Sequence, residues 1–240
     1  MKKLLLSLCM AVLCLSCSAA KESTKAVRVD APFSGISVGG NVKVDYTPSA
    51  KVSIKATGNS EALATLKAYV KGGTLYLYTD NEGRFSHLRD NKVEVVMTAP
   101  AMKDFQTHGN AGLDVLSSSG INGSLEISTS GNSGIEFHQE LSCKRIEINT
   151  SGNSSVELEG ATACTTFRAN TSGNSSVEAE SVTADVVNLD SSGNSEIEVR
   201  LKGAGKVDAT ASGNSEIEIP GTARSKNIHT SGFAEIKTND

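Results

Sequence analysis

Nine glutamates in the C-terminal half of the chain recur at matched positions. Glu136, Glu157, Glu178, Glu198 and Glu218 follow one another at 20 or 21 residues, and Glu159, Glu180, Glu196 and Glu216 sit two places from members of that series. A short fixed period in β-rich sequence stacks equivalent positions on neighbouring strands, so these side chains form a column of carboxylates at ~4.8 Å spacing. Like charges directly opposite one another across strands cost a few tenths to about 1 kcal/mol each. Solvent screening, bound cations such as calcium, or a basic ligand must relieve that repulsion. If a metal is held, Glu157, Glu178, Glu198 and Glu218 hold it; the alternative is a solvated acidic face.

Catalytic chemistry has less to work with. His87, His108, His138 and His229 are scattered along the chain, and no H-E-x-x-H, paired C-x-x-C, P-loop or G-x-S-x-G occurs. Metalloprotease, zinc, nucleotide and serine-hydrolase readings therefore lack their defining spacings. Arg168 is the one basic residue on its outward column, near Glu147, Asn188 and Asp208. The expectation is a protein with no catalytic residues and no cofactor. A carbohydrate-active enzyme using acidic residues of one face is the alternative. The net charge of -4 argues against nucleic acid as a partner, since phosphate neutralisation needs clustered Lys and Arg.

What positions the glutamates is a repeated word. S-G-N-S-G-I-E-F opens at Ser130, and close copies open at Ser151, Ser172, Ser192 and Ser212, with a decayed S-G-F-A-E-I-K-T at Ser231 and a fainter H-G-N-A-G-L-D-V at His108. Within one repeat, Val156 and Leu158, then Phe167, Ala169 and Thr171, alternate with polar residues, the period-two signature of strands. No rung alone buries such residues, but a stack does. The fold class is thus all-β: a parallel β-solenoid, or β-helix, of about 20-residue rungs over residues 106–238, preceded by a β-rich N-terminal cap with degenerate rungs over 30–105. Leu63, Leu66 and Val70 recur at helical spacing after Glu61 and predict one short helix in the cap. The Gly of each word supplies a positive φ, and Asn132, Asn153, Asn174, Asn194 and Asn214 bridge carboxamide to carboxamide in a structural ladder. Phe233 replaces Asn in the last word and is expected to close the core.

Two features concern export. Lys2 and Lys3 precede an apolar run from Leu4 to Leu15, too short to span a bilayer, which reads as a signal peptide over residues 1–20 with a linker over 21–29. Leu15-Ser16-Cys17 fits lipoprotein processing with lipidation of Cys17, which would tether the chain to a membrane; Ser18-Ala19-Ala20 fits ordinary cleavage instead. Cys143 and Cys164 lie 21 residues apart at matched repeat positions. They read either as a rung-to-rung disulfide in an oxidising compartment or as two stacked thiols.

The order of words carries a resemblance. Phe33-Ser34-Gly35-Ile36, Leu63-x-x-Leu66, Gly73-x-Leu75-x-Leu77, the V-x-V-x-M-T-A-P stretch ending at Pro100 and the S-G-N rungs together resemble the head GIN domain family of auto-transporter adhesins, exported proteins common in Bacteroidetes. The likeness spans residues 30–238. It implies an exported adhesion module of the cell envelope; with a lipid on Cys17 the module would be anchored at the outer membrane, facing either the periplasm or the cell surface. Its partner would be a glycan, a peptide or an envelope protein held against flat solenoid faces. The family motif supplies no catalytic residues.

Overall fold

The computed structural model describes residues 22–80 and 92–238; the predicted signal peptide, Cys17 and His87 lie outside them. In the repeat that contains Ser151, Ile146, Ile148 and Thr150 are buried while Glu147, Asn149 and Ser151 face outward. Gly152 then turns the chain at φ 82°, and Val156 and Leu158 point back inside. Each position pairs in parallel with its counterpart one rung on: Ile146 with Phe167, Ile148 with Ala169, Val156 with Val177. Large and small side chains alternate down one interior column, through Ile148, Ala169, Leu189 and Ala209, so that successive layers interdigitate. Towards the N-terminal end the core turns aromatic, with Phe137 edge-on to Phe105 at 5.3 Å and Tyr46 tilted against Phe105 at 6.0 Å.

The first nine strands are β1 (Ser23–Val27), β2 (Gly35–Gly40), β3 (Val42–Pro48), β4 (Ser53–Gly58), β5 (Leu66–Lys71), β6 (Thr74–Thr79), β7 (Val93–Ala99), β8 (Asp104–Gly109) and β9 (Gly112–Val115), with one helix α1 (Ser60–Thr65). They do not stack in chain order. β2 lies between β6 and β8, and β3 between β7 and β9, all parallel, so the first rung in sequence is interleaved between later ones. Beyond β6 and β7 the stack is closed by antiparallel strands: β5 on β6, β4 on β7, and β1 on β4. α1 starts at Asn59, whose side chain accepts from the Ala62 N–H at 2.7 Å, and it buries Ala62 and Leu63 against the core.

The predicted helix exists but is shorter than its apolar spacing suggests. Leu66 and Val70 belong to β5, with Leu66 extended at ψ 121°. A spacing of four satisfies the strand period as well as the helical one, and pairing with β6 decides it. No helix among the described residues is long and apolar enough to cross a membrane.

At the opposite end the last rung, strands Gly221–Gly232 and Glu235–Lys237, pairs on one side only. Phe233 does not close the core as expected: it is 91% exposed, because it stands in the outward Asn column rather than an inward one. Instead, Lys226 occupies the inward column after Val187 and Val207 and donates to the Gly221 carbonyl at 3.0 Å. An inward-pointing charge on a terminal strand opposes pairing with another chain.

Candidate functional site

The outward face of the long strands carries a groove of about 610 Å3 across six rungs. One column of its lining runs Gln106, Ser128, Asn149, Asn170, Asp190 and Thr210; the next runs His108, Ser130, Ser151, Ser172, Ser192 and Ser212. Almost every group is a neutral hydroxyl or amide, able to donate and to accept. The exceptions are His108 and Asp190, whose carboxylate lies 4.0 Å from the Arg168 guanidinium. Behind the lining, buried hydroxyls fix the walls: Thr129 meets Ser154 at 2.9 Å and Thr171 donates to Ser195 at 3.0 Å. Ser154 and Ser195 in turn donate to the carbonyls of Ser151 and Ser192 at 2.9 and 2.8 Å. Rung-to-rung amide bonds, such as Asn170 Nδ2 to Asn149 Oδ1 at 2.8 Å, reinforce the surface.

The predicted acidic column is in register and longer than its sequence motif, running from Asp114 through Glu136, Glu157, Glu178 and Glu198 to Glu218. Cations hold its ends. Lys43 pairs with Asp114 at 2.7 Å, Arg200 with Glu198 at 3.3 Å, and Lys237 with Glu218 at 2.9 Å and also with Glu216. In the middle, burial followed by Glu136 and Glu178 pushes the Glu157 carboxyl above the ordinary range. Burial and then Glu216 do the same to Glu196. His138 joins this face: its Nδ1 is 2.8 Å from Glu159, which raises its pKa. Ligand atoms of Asp114, Glu136 and His138 lie within 4.8 Å of one another, a set able to hold a cation, although Lys43 already serves Asp114. His138 is one of the histidines scattered along the sequence, yet Glu159 follows it by 21 residues, one rung.

The Asn ladder bonds in two runs: Asn132 Nδ2 donates to Asn110 at 2.8 Å and Asn153 to Asn132 at 2.7 Å, then Asn194 to Asn174 at 3.2 Å and Asn214 to Asn194 at 3.3 Å. It continues through Asn110 to Asn41 at 3.2 Å. Cys143 and Cys164 are in-register neighbours and are thiols in this structure. Burial raises both, with Cys164, beside Cys143 and Asp185, pushed up to about 12.

A parallel β-solenoid with one capped end, an open end and a polar groove across its rungs defines a repeat protein that presents surfaces rather than encloses a cavity. The chain belongs to the family described as "Putative auto-transporter adhesin, head GIN domain", whose model matches residues 32–223. Its fold is that of a crystal structure titled a putative adhesin from Bacteroides fragilis (TM-score 0.78, 21% identity, covering 92% of this chain and 98% of that one). Similar too are a putative adhesin from Parabacteroides merdae (TM-score 0.70, 16% identity, 92% and 97% covered) and a putative lipid binding protein from Parabacteroides distasonis (0.64, 16%, 91% and 97%). At these identities the likeness is one of fold. No curated protein matches the sequence.

Proposed function

We propose that this protein is a non-catalytic adhesion module that holds an extended polar chain in the groove, and that a lipid on Cys17 tethers it to the outer membrane, on the periplasmic or the cell-surface side. The observation that carries the reading is the run of in-register neutral donors and acceptors across six rungs. Repetition at a fixed spacing suits a partner that is itself repetitive, and the buried hydroxyl network holds the lining in place before binding, which lowers the ordering cost. Membership of an adhesin family supports the same role.

The test is a glycan and peptide array on the purified protein, run beside a reducing-end release assay on every glycan that binds. Retention without release is expected. Release that disappears on replacing acidic-face glutamates by glutamine would instead establish the carbohydrate-active enzyme. Radiolabelled palmitate incorporation, lost in Cys17→Ser, checks the tether, and protease accessibility on intact cells distinguishes the two membrane faces.

A further inference from the structure

We infer that the groove takes a linear, uncharged glycan, and that Tyr69, Tyr76 and Tyr78 form a platform on which one sugar ring of that glycan stacks. The inference rests on reading the groove as the binding surface.

Its first support is continuity. The two columns that line the groove do not stop at Gln106 and His108. The register carries the Gln106 column through Ser37 to Tyr76, and the His108 column through Gly39 to Tyr78. Across β5 and β6, Tyr69 pairs with Tyr76. The Tyr69 and Tyr76 rings stack 5.1 Å apart and 16° from parallel, and Tyr78 meets Tyr69 edge-on at 6.1 Å. Three of the chain's four tyrosines are thus gathered in one outward cluster in line with the groove, and Tyr69 is 42% exposed.

Between platform and groove lies only the rung of Ser37 and Gly39. Ser37 is too short to cover a ring. At Gly39 a Cβ would collide with the His108 imidazole, so glycine there lets His108 lie across the rung. A pyranose presents a C–H face that packs on an aromatic ring and a rim of hydroxyls that bond to amides and alcohols, which is the pairing of surfaces found here.

The second support is dimension and charge. Six rungs of groove span five strand spacings, ~24 Å, and the platform lies two further spacings away, ~10 Å. Pyranoses joined through opposite ring carbons advance by about one strand spacing per unit and turn over at alternate units, so a straight chain presents a ring at each rung and the same face at every second one. Asp190 is matched by Arg168, and the rest of the lining is neutral apart from His108, which favours an uncharged chain over a uronic acid polymer.

The test titrates the full mature chain with β-1,4-linked glucose, mannose and N-acetylglucosamine chains, from disaccharide to octasaccharide, with oligogalacturonates as the acidic series. Calorimetry gives affinity, and tyrosine emission reports the platform because the chain has no Trp. One neutral series should gain affinity with length and perturb tyrosine emission. Tyr69→Ala and Tyr76→Leu should weaken its longest member about five- to tenfold, a few ring contacts' worth, while Tyr69→Phe retains binding. Ser172→Arg, in the groove, should weaken every length. If Ser172→Arg abolishes binding while the tyrosine variants bind as wild type, the platform is wrong and the groove reading stands. Tighter binding of galacturonates overturns the uncharged class. Binding of no oligosaccharide while array peptides are retained overturns the glycan and keeps the groove.

Discussion

The hydroxyl of Thr150 donates to the hydroxyl of Ser175 across 2.9 Å, inside the solenoid and between successive rungs. Ser175 itself donates to the Ser172 carbonyl at 2.9 Å. The last Ser of each S-G-N-S word is therefore a buried link, whereas the Asn beside it bonds in solvent. Ser175→Ala orphans a buried hydroxyl and should cost about 1–3 kcal/mol, against about 0.5–1.5 kcal/mol for Asn174→Ala in the exposed ladder. Urea denaturation of the two variants checks the order.

Gly173 stands at φ 82°, and a Cβ there would lie 2.7 Å from the Gly152 carbonyl oxygen. Gly173→Ala combines backbone strain with a clash and should lose about 1–3 kcal/mol or more. Gly203 has neither a positive φ nor any atom within 4 Å of a built Cβ. Gly203→Ala should stay within about 0.5 kcal/mol of wild type. Equal melting temperatures for the two variants would contradict the stacked-corner geometry.

Stability should respond to pH through the acidic face. Glu157 and Glu196 titrate above the ordinary carboxylate range, so the folded state binds their protons more tightly than the unfolded chain does. The stability they contribute is full below the unfolded value of about 4.3 and is lost as pH rises through the folded values. Glu157→Gln should therefore raise the melting temperature at pH ~8 and not at pH ~4. Millimolar calcium should raise it as well if carboxylates share the ion, and Glu178→Gln with Glu198→Gln should remove that rise. Calorimetric scans with and without calcium decide it.

Lys226 ends an inward column that five preceding rungs fill with apolar residues, Leu125, Ile146, Phe167, Val187 and Val207. Lys226→Ile should leave the melting temperature equal or higher while promoting end-to-end association, since the terminal strand loses its guard. Light scattering against protein concentration measures this; a monodisperse variant would show that the lysine guards nothing.

Cys143 and Cys164 both titrate high, and only thiolate attacks. In the reduced protein they should react slowly with a disulfide reagent at neutral pH and fast in denaturant. Intact mass of the protein purified from its native cells, before and after reduction, reports whether the pair has been oxidised to a disulfide.

The rungs were legible because Ser151, Gly152 and Asn153 return with fixed spacing, and a residue's rung neighbour is then simply its counterpart one period on. The same arithmetic reaches His138 and Glu159 once the outward positions are followed as columns. Less could be read before residue 105. Nothing local in Gly35–Gly40 says that β2 inserts between β6 and β8, because that choice is made by contacts distant in sequence. Leu66 and Val70 satisfied two periods at once, and only pairing with β6 resolved them. The tyrosine platform escaped for a related reason: Tyr76 and Tyr78 alternate with Leu75 and Leu77 as any half-buried strand does, and their alignment with Gln106 and His108 depends on the interleaved rung.

That interleaving makes the two ends mechanically unequal. A rung at the free end is held on one face and can peel away, followed by the next, each at the cost of a single interface. The rung of β2 and β3 is gripped on both faces by segments made later in the chain, so a pull on it must shear two interfaces together. Once β1, held by β4 alone, has peeled away, tension applied between the termini is relieved one rung at a time from the C-terminal side. The rungs adjoining the tyrosines are the last to yield.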